Sequence, residues 1–113
     1  MLTIEKLKEY GANTEEGLAR CMNNEAFYIR LVNIAIADDK LGALGEKIES
    51  GDLSGAFEIA HGLKGMYGNL SLTPVFEPIS KMTELLRART ETDYSSLLAE
   101  VNARKKELDD LAK

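Results

Sequence analysis

The chain has 113 residues, which is the usual size of one folded domain, so we expect residues 1–113 to form a single domain. Hydrophobic residues make up 44% and charged residues 29% of the chain, with only two prolines, which favours a globular helical protein over a disordered one. The net charge of -5 excludes a global positive field that would attract nucleic acid or an anionic membrane surface.

The first residues and the cysteine content predict a cytoplasmic location. Charges interrupt every short apolar stretch of residues 1–16, which fits neither a signal peptide nor a membrane span. Cys21 is the only cysteine, so it cannot form an internal disulfide, and a reducing compartment is expected.

Two short helices and a longer helical region are predicted in the first half of the chain. The first short helix runs from Thr3 to about Tyr10, and the second is capped by Asn13 or Thr14 and ends near Met22. Asn24 is the predicted cap of the longer region, whose apolar pattern is interrupted at residues 38–39. The pattern between Leu31 and Ile48 is compatible with one helix or with two.

Three long helices are predicted in the second half. The first is capped by Asp52, the second by Thr73 with Pro74 at its first helical position, and the third by Thr92 or Asp93. Pro78 removes a backbone donor, so we expect a bend or a loose first turn in the second of these helices. No stretch alternates with the period of a strand. The predicted fold is all-α, an antiparallel up-and-down four-helix bundle with one or two short N-terminal helices.

The chain's only histidine, His61, lies on the helix that follows Asp52. With Ala60 at the centre of the buried stripe, His61 falls on the flank of the core, and its helical neighbours are Lys64, Gly65 and Gly68. One face therefore presents an imidazole, an ammonium group and two positions without a side chain.

The helix also contains an unusual number of glycines, namely Gly55, Gly62, Gly65 and Gly68. Each costs roughly 1 kcal/mol relative to alanine, so their presence calls for a reason. Missing side chains let another protein surface come close to the imidazole of His61. Such access is what phosphoryl transfer between two proteins requires, because donor and acceptor atoms must line up through the phosphorus.

The residue types fit that chemistry. A neutral imidazole is nucleophilic, and a phosphorylated imidazole carries a dianionic group. Lys64 lies one turn from His61 and can donate a charge-assisted hydrogen bond to the phosphoryl oxygens. No acidic residue lies three or four positions from Lys64 in its own helix, so we expect its ammonium to be free of a structural salt bridge.

The segment around His61 resembles the motif of the histidine-containing phosphotransfer domains. In that motif a histidine precedes a variable residue, leucine, lysine and glycine, and after three variable residues come asparagine and leucine or isoleucine. The chain reads His61-Gly62-Leu63-Lys64-Gly65-Met66-Tyr67-Gly68-Asn69-Leu70 and matches every defined position. Residues 11–28 are also similar to the family's entry region. Ser71, where the family commonly has glycine, and Pro78 are the two departures.

The resemblance implies that His61 accepts a phosphoryl group from an aspartyl phosphate, or passes one to an aspartate, in a multistep two-component phosphorelay. The implied partners are a response-regulator receiver domain and a sensor or hybrid histidine kinase. The Mg2+ of such transfers would be bound by the receiver, since the chain has no evident acidic metal site and no nucleotide loop. The chain is therefore expected to be a monomeric carrier without autokinase activity or a cofactor, and not an enzyme.

The resemblance also implies a polar residue at Thr83 and a basic residue at Arg87, in the helix after that of His61. On a helical wheel, Ser80, Thr83 and Arg87 share one flank of that helix, where they can support the site. Asn69 is expected to tie the end of its helix to the next loop. Met66 lies off the buried stripe and is a candidate for an exposed apolar docking patch.

Two other functions compete with a phosphoryl carrier. A helical adaptor would bind a receiver domain through the same surface without transfer. A metal-binding or heme-binding bundle would need several inward ligands, and one histidine cannot supply them.

Overall fold

The computed structural model describes residues 1–113, which form seven α-helices and no β-strand. The predicted all-α fold class is confirmed. The helices are α1 (Ile4–Tyr10), α2 (Thr14–Arg20), α3 (Glu25–Ala37), α4 (Lys40–Glu49), α5 (Leu53–Asn69), α6 (Thr73–Arg87) and α7 (Ser95–Asp110). None of them has the length and apolar composition needed to cross a membrane.

Four helices begin at side-chain caps, and the sequence predicts three of these, at Asn13, Asn24 and Asp52. In each case the side-chain oxygen accepts a hydrogen bond from the backbone N–H three residues on, at 2.8 to 3.2 Å. The capping residues are Thr3 for α1, Asn13 for α2, Asn24 for α3 and Asp52 for α5. Each cap satisfies one of the backbone donors that a helix start leaves free.

In the structure, the region between Leu31 and Ile48 forms parts of two helices, α3 and α4. Asp38 ends α3 in an extended conformation, and its carboxylate accepts hydrogen bonds from both the backbone N–H and the Nζ of Lys40, at 2.8 and 2.9 Å. From α7, the Nζ of Lys105 donates to the carbonyl of Ile36 at 2.9 Å, so a distant residue satisfies a carbonyl at the end of α3.

The last two helices start differently from the prediction. Thr73 is already helical in α6, and Leu72 precedes it without a side-chain cap. The start of α7 is Ser95, because Tyr94 is buried against the core and its hydroxyl donates back to Thr90. Asp93 still accepts a hydrogen bond from the backbone N–H of Ser95 at 2.9 Å. Pro78 is buried within α6, which continues through it.

One core of 22 buried apolar residues draws on all seven helices or their flanking residues. Helix α5 packs between α4 and α6, and α6 packs against α7. The stripe of α5 that faces this core is Ala56, Ala60, Leu63 and Tyr67, as its spacing predicts. The opposite side of α5 is therefore free to carry a site.

Hydrogen bonds from α2 and α3 hold the turn between α5 and α6. Ser71 adopts a φ of 55°, its backbone carbonyl accepts from Asn13 at 2.9 Å, and its hydroxyl donates to Glu16 at 2.8 Å. The buried hydroxyl of Tyr28 donates to the carbonyl of Leu70 at 2.7 Å. Glycine adopts a left-handed φ at no steric cost, which explains why it is common at this position in the family that the sequence resembles.

Gly17 is required by the same arrangement. A Cβ atom there would lie 2.5 Å from the ring of Tyr28, which is much closer than real contacts allow. The absent side chain lets Tyr28 pass under α2 and reach the turn.

The two ends of the chain lie side by side. The N-terminal ammonium of Met1 donates to the carbonyl of Lys113 at 3.0 Å. The Nζ of Lys6 donates to the carbonyls of Met1 and Leu111, at 2.6 and 3.4 Å.

Candidate functional site

His61 lies exposed on the outer side of α5, next to the buried Ala60. Its ring stacks on that of Phe57, one turn earlier, with centroids 5.5 Å apart and an angle of 7° between the planes. This placement agrees with the predicted flank position. This contact was not predicted from the sequence, although the spacing of four between Phe57 and His61 is the signal for it.

Two guanidinium groups, from the last residue of α6 and from the turn that follows it, reach the same phenyl ring. The Cζ atoms of Arg87 and Arg89 lie 5.1 and 5.3 Å from the centroid of Phe57. Arg87, which the sequence singled out, therefore contacts the ring on which His61 stacks. Arg89 was missed, because it lies in the turn after α6, and its left-handed φ of 53° belongs to that turn and not to a helical pattern.

Lys64 forms an ion pair with Glu84 of α6, and this corrects the expectation that its ammonium is unpaired. Its Nζ lies 3.4 Å from the Glu84 carboxylate, which also contacts the Nε of Arg87 at 3.2 Å. The hydrogen bond from Lys64 and the charge of Arg87 hold the pKa of Glu84 below its ordinary value. Spacing within α5 correctly excluded a local partner, but the acid comes from the neighbouring helix.

The four glycines of α5 divide into two groups. A Cβ atom at Gly62 or Gly65 would meet nothing within 4 Å, so these positions are open to solvent. At Gly68 a Cβ would lie 2.9 Å from the ring of Phe76, and at Gly55 it would collide with the capping carboxylate of Asp52. Gly68 lines the same groove as His61, and its missing side chain also makes room for Phe76 of α6, so its access role stays a prediction.

A polar groove runs from His61 along α5 between α2 and α6. Lys64, Gly65 and Asn69 line it from α5, and Arg20 lines it from α2. Arg20 is held there by hydrogen bonds to the carbonyl of Gly68 and the hydroxyl of Ser71. The groove thus brings together His61, Lys64 and Gly65 as the sequence expects.

Three other residues named from the sequence lie in different surroundings. Thr83 is fully buried, and its hydroxyl donates to the carbonyl of Ile79 at 2.7 Å, so it is not brought to His61. Met66 is half-buried against the core and forms no exposed docking patch. Asn69 is exposed in the groove and its side chain makes no hydrogen bond that ties α5 to the next loop.

Comparison with known families returns one match. The family model of the Hpt domain matches residues 34–113, a range that includes His61 and the whole of α4 to α7. No curated protein and no solved structure shows a significant match to the chain.

Proposed function

We propose that this chain, which belongs to the Hpt domain family, carries a phosphoryl group on His61 between receiver-domain aspartates in a multistep phosphorelay. Membership of the family implies histidine phosphotransfer in two-component signalling. The observation that carries the proposal is the position of the chain's only histidine, exposed on α5 beside the open backbone of Gly62 and Gly65.

The transfer step needs only groups that this face and an aspartyl phosphate supply. A ring nitrogen of His61 attacks the phosphorus, the P–N bond forms, and the P–O bond to the aspartate breaks to release its carboxylate. Transfer from phospho-His61 to a second aspartate is the reverse sequence of bond changes. Since Gly62 and Gly65 present no side chain, the donor can approach in line with the ring nitrogen.

Lys64 is the proposed ligand of the phosphoryl oxygens. Its ion pair with Glu84 is partly exposed, with 28% of the Lys64 side chain and 56% of the Glu84 side chain accessible. Exposed pairs of this kind contribute little, about 0 to 1 kcal/mol, so a dianionic phosphoryl group one turn away can draw the ammonium from Glu84.

The proposed partners are a response-regulator receiver domain and a sensor or hybrid histidine kinase. Mg2+ is assigned to the receiver, and the chain acts as a monomeric, cytoplasmic carrier with no cofactor or autokinase activity. We also propose the antiparallel up-and-down four-helix arrangement for the bundle. The pairing of Phe57 with Arg87, and of Gly68 with Phe76, supports it, because these contacts require α5 and α6 to run in opposite directions.

Incubation with a phosphorylated receiver domain tests the function. The wild-type chain is expected to take up an acid-labile, base-stable label, and His61→Gln is expected to take up none. Because His61 is exposed, the variant should keep its helical content and melting temperature. Label on His61→Gln would refute the site, and receiver binding without label on the wild type would establish the adaptor function instead.

A further inference from the structure

We propose that Phe57 is a positioning residue, which holds the imidazole of His61 in the plane required for phosphoryl transfer. The inference rests on the proposed function and adds a residue to it. Phe57 supplies no group to the reaction, so its effect would be exerted through the ring of His61 on which it stacks.

The stack is the contact that orients His61. The two rings are nearly parallel, at 7°, and their centroid separation of 5.5 Å is within the range of offset stacking. The imidazole of His61 takes part in no hydrogen bond, and its neighbours Gly62 and Gly65 offer no side chain. Without Phe57, an exposed ring would sample several rotamers.

Phe57 is itself held from three sides. Its ring is half-buried against the core, and Arg87 and Arg89 lie over it. Each guanidinium group is anchored in turn, since Arg87 pairs with Glu84 at 3.2 Å and Arg89 donates to the carbonyl of Leu86 at 2.6 Å. Cation–π contacts of this kind favour one orientation of the ring, so we expect the ring of Phe57 to be held more rigidly than that of an ordinary half-buried phenylalanine.

The mechanism gives the effect a kinetic signature. In-line transfer requires the attacking nitrogen to point at the phosphorus, and small errors of orientation lower the rate of the transfer step. Binding of the receiver depends on the wider surface around His61, of which the half-buried ring of Phe57 is only a part. Loss of the stack should therefore lower the maximal transfer rate and leave the half-saturating receiver concentration unchanged.

The test compares Phe57→Leu with Phe57→Tyr in single-turnover transfer from a phosphorylated receiver at increasing concentration. Leucine keeps apolar bulk but cannot stack, whereas tyrosine keeps the aromatic ring. We expect the maximal rate of Phe57→Leu to fall about threefold to tenfold with the half-saturating concentration unchanged. Phe57→Tyr should transfer at a rate within about twofold of the wild type.

Proton NMR supplies a readout that a general loss of stability would not mimic. In the wild type, nuclear Overhauser effects are expected between the ring protons of Phe57 and those of His61. In Phe57→Leu, the His61 ring protons should lose the shift caused by the neighbouring aromatic ring, while the amide spectrum stays folded.

Each outcome bears on the proposal. An unchanged maximal rate in Phe57→Leu, or an equal fall in Phe57→Leu and Phe57→Tyr, would overturn it. If the leucine variant does not fold, the absence of Phe57–His61 Overhauser effects in the wild type would overturn it instead. A wild-type chain that takes no label would refute the proposed function, whereas a labelled wild type with an equally fast Phe57→Leu would refute this inference alone.

Discussion

Lys64 has two competing partners, the Glu84 carboxylate and the phosphoryl group proposed for His61. We expect Lys64→Ala to slow transfer or shorten the lifetime of phospho-His61 by about tenfold or less, because one charge-assisted hydrogen bond is lost at a partly exposed position. The melting temperature should barely change, since the ion pair with Glu84 contributes little. Transfer rates and the hydrolysis half-life measure the effect.

Lys106→Ala is the matched control, because Lys106 also forms an exposed ion pair, with Asp110 at 3.3 Å, but on α7. It should leave both transfer and lifetime unchanged. If Lys64→Ala lowers the melting temperature while rate and lifetime match the wild type, Lys64 is structural and its assignment to the phosphoryl group is wrong.

Gly65 is predicted to keep the face of His61 open. Gly65→Leu should slow transfer strongly by blocking the receiver, while stability rises by about 0.5 to 1 kcal/mol because leucine is the better helix former. Gly42→Leu is the control, since Gly42 is also helical and has nothing within 4 Å of a built Cβ, but it lies on α4. Equal transfer rates in the two variants would show that the missing side chain of Gly65 is not needed for the receiver to approach His61.

At the scale of single residues, the sequence predicts what depends on spacing within one helix. The exposed flank position of His61 and the neighbourhood of Lys64 and Gly65 follow from 3.6 residues per turn. The partner of Lys64 and the role of Gly68 depend on Glu84 and Phe76 of α6, whose register against α5 is set by packing across the core. Helical spacing within α5 carries no information on that register.

The turn between α5 and α6 depends on a buried hydrogen bond from another element. Tyr28→Phe leaves the carbonyl of Leu70 without its 2.7 Å donor in a buried position, so we expect a loss of about 1 to 3 kcal/mol in unfolding free energy. Urea unfolding monitored by circular dichroism measures it.

Tyr94→Phe provides the comparison. The hydroxyl of Tyr94 donates to Thr90, only four residues away and partly accessible, so water can replace it and the cost should be smaller. A Tyr28→Phe variant as stable as the wild type would show that α3 does not hold the turn.

The ends of the helices are likewise set partly by neighbouring residues in sequence and partly by residues far away in sequence. Side-chain caps such as Asn24 and Asp52 act on residues three positions away, so the sequence locates those helix starts. The break between α3 and α4 is supported by Lys105, which lies 69 residues from Ile36. The start of α7 depends on the burial of Tyr94, which is a property of the assembled core.

At the scale of the whole molecule, buried tyrosines make the fold sensitive to alkali. Burial raises the pKa of Tyr28 to about 12 and raises the pKa values of Tyr10 and Tyr67 further. In the unfolded chain these groups lose their protons near pH 10, while the folded chain retains them. The contribution of these tyrosines to the free energy of unfolding is therefore fully present below about pH 10, and it is lost as the pH rises from 10 towards 12.

Each retained proton contributes a slope of about 1.4 kcal/mol per pH unit in that window. We expect urea unfolding to show a falling free energy between pH 10 and 12, with a shallower fall in Tyr28→Phe. A wild-type stability that is flat across this window would contradict the burial of these hydroxyls in the folded state.

The hydrogen bond between the Met1 ammonium and the Lys113 carbonyl shows that the two ends of the chain lie within reach of each other. A short glycine-rich linker can then join the two ends, and the chain can be opened instead at the exposed loop around Gly51. In such a circular permutant the contacts of α1 with α7 become neighbours in sequence, and those of α4 with α5 become distant. The order in which the helices fold can then be changed, while His61, Lys64 and Glu84 stay on one uninterrupted segment that contains α5 and α6.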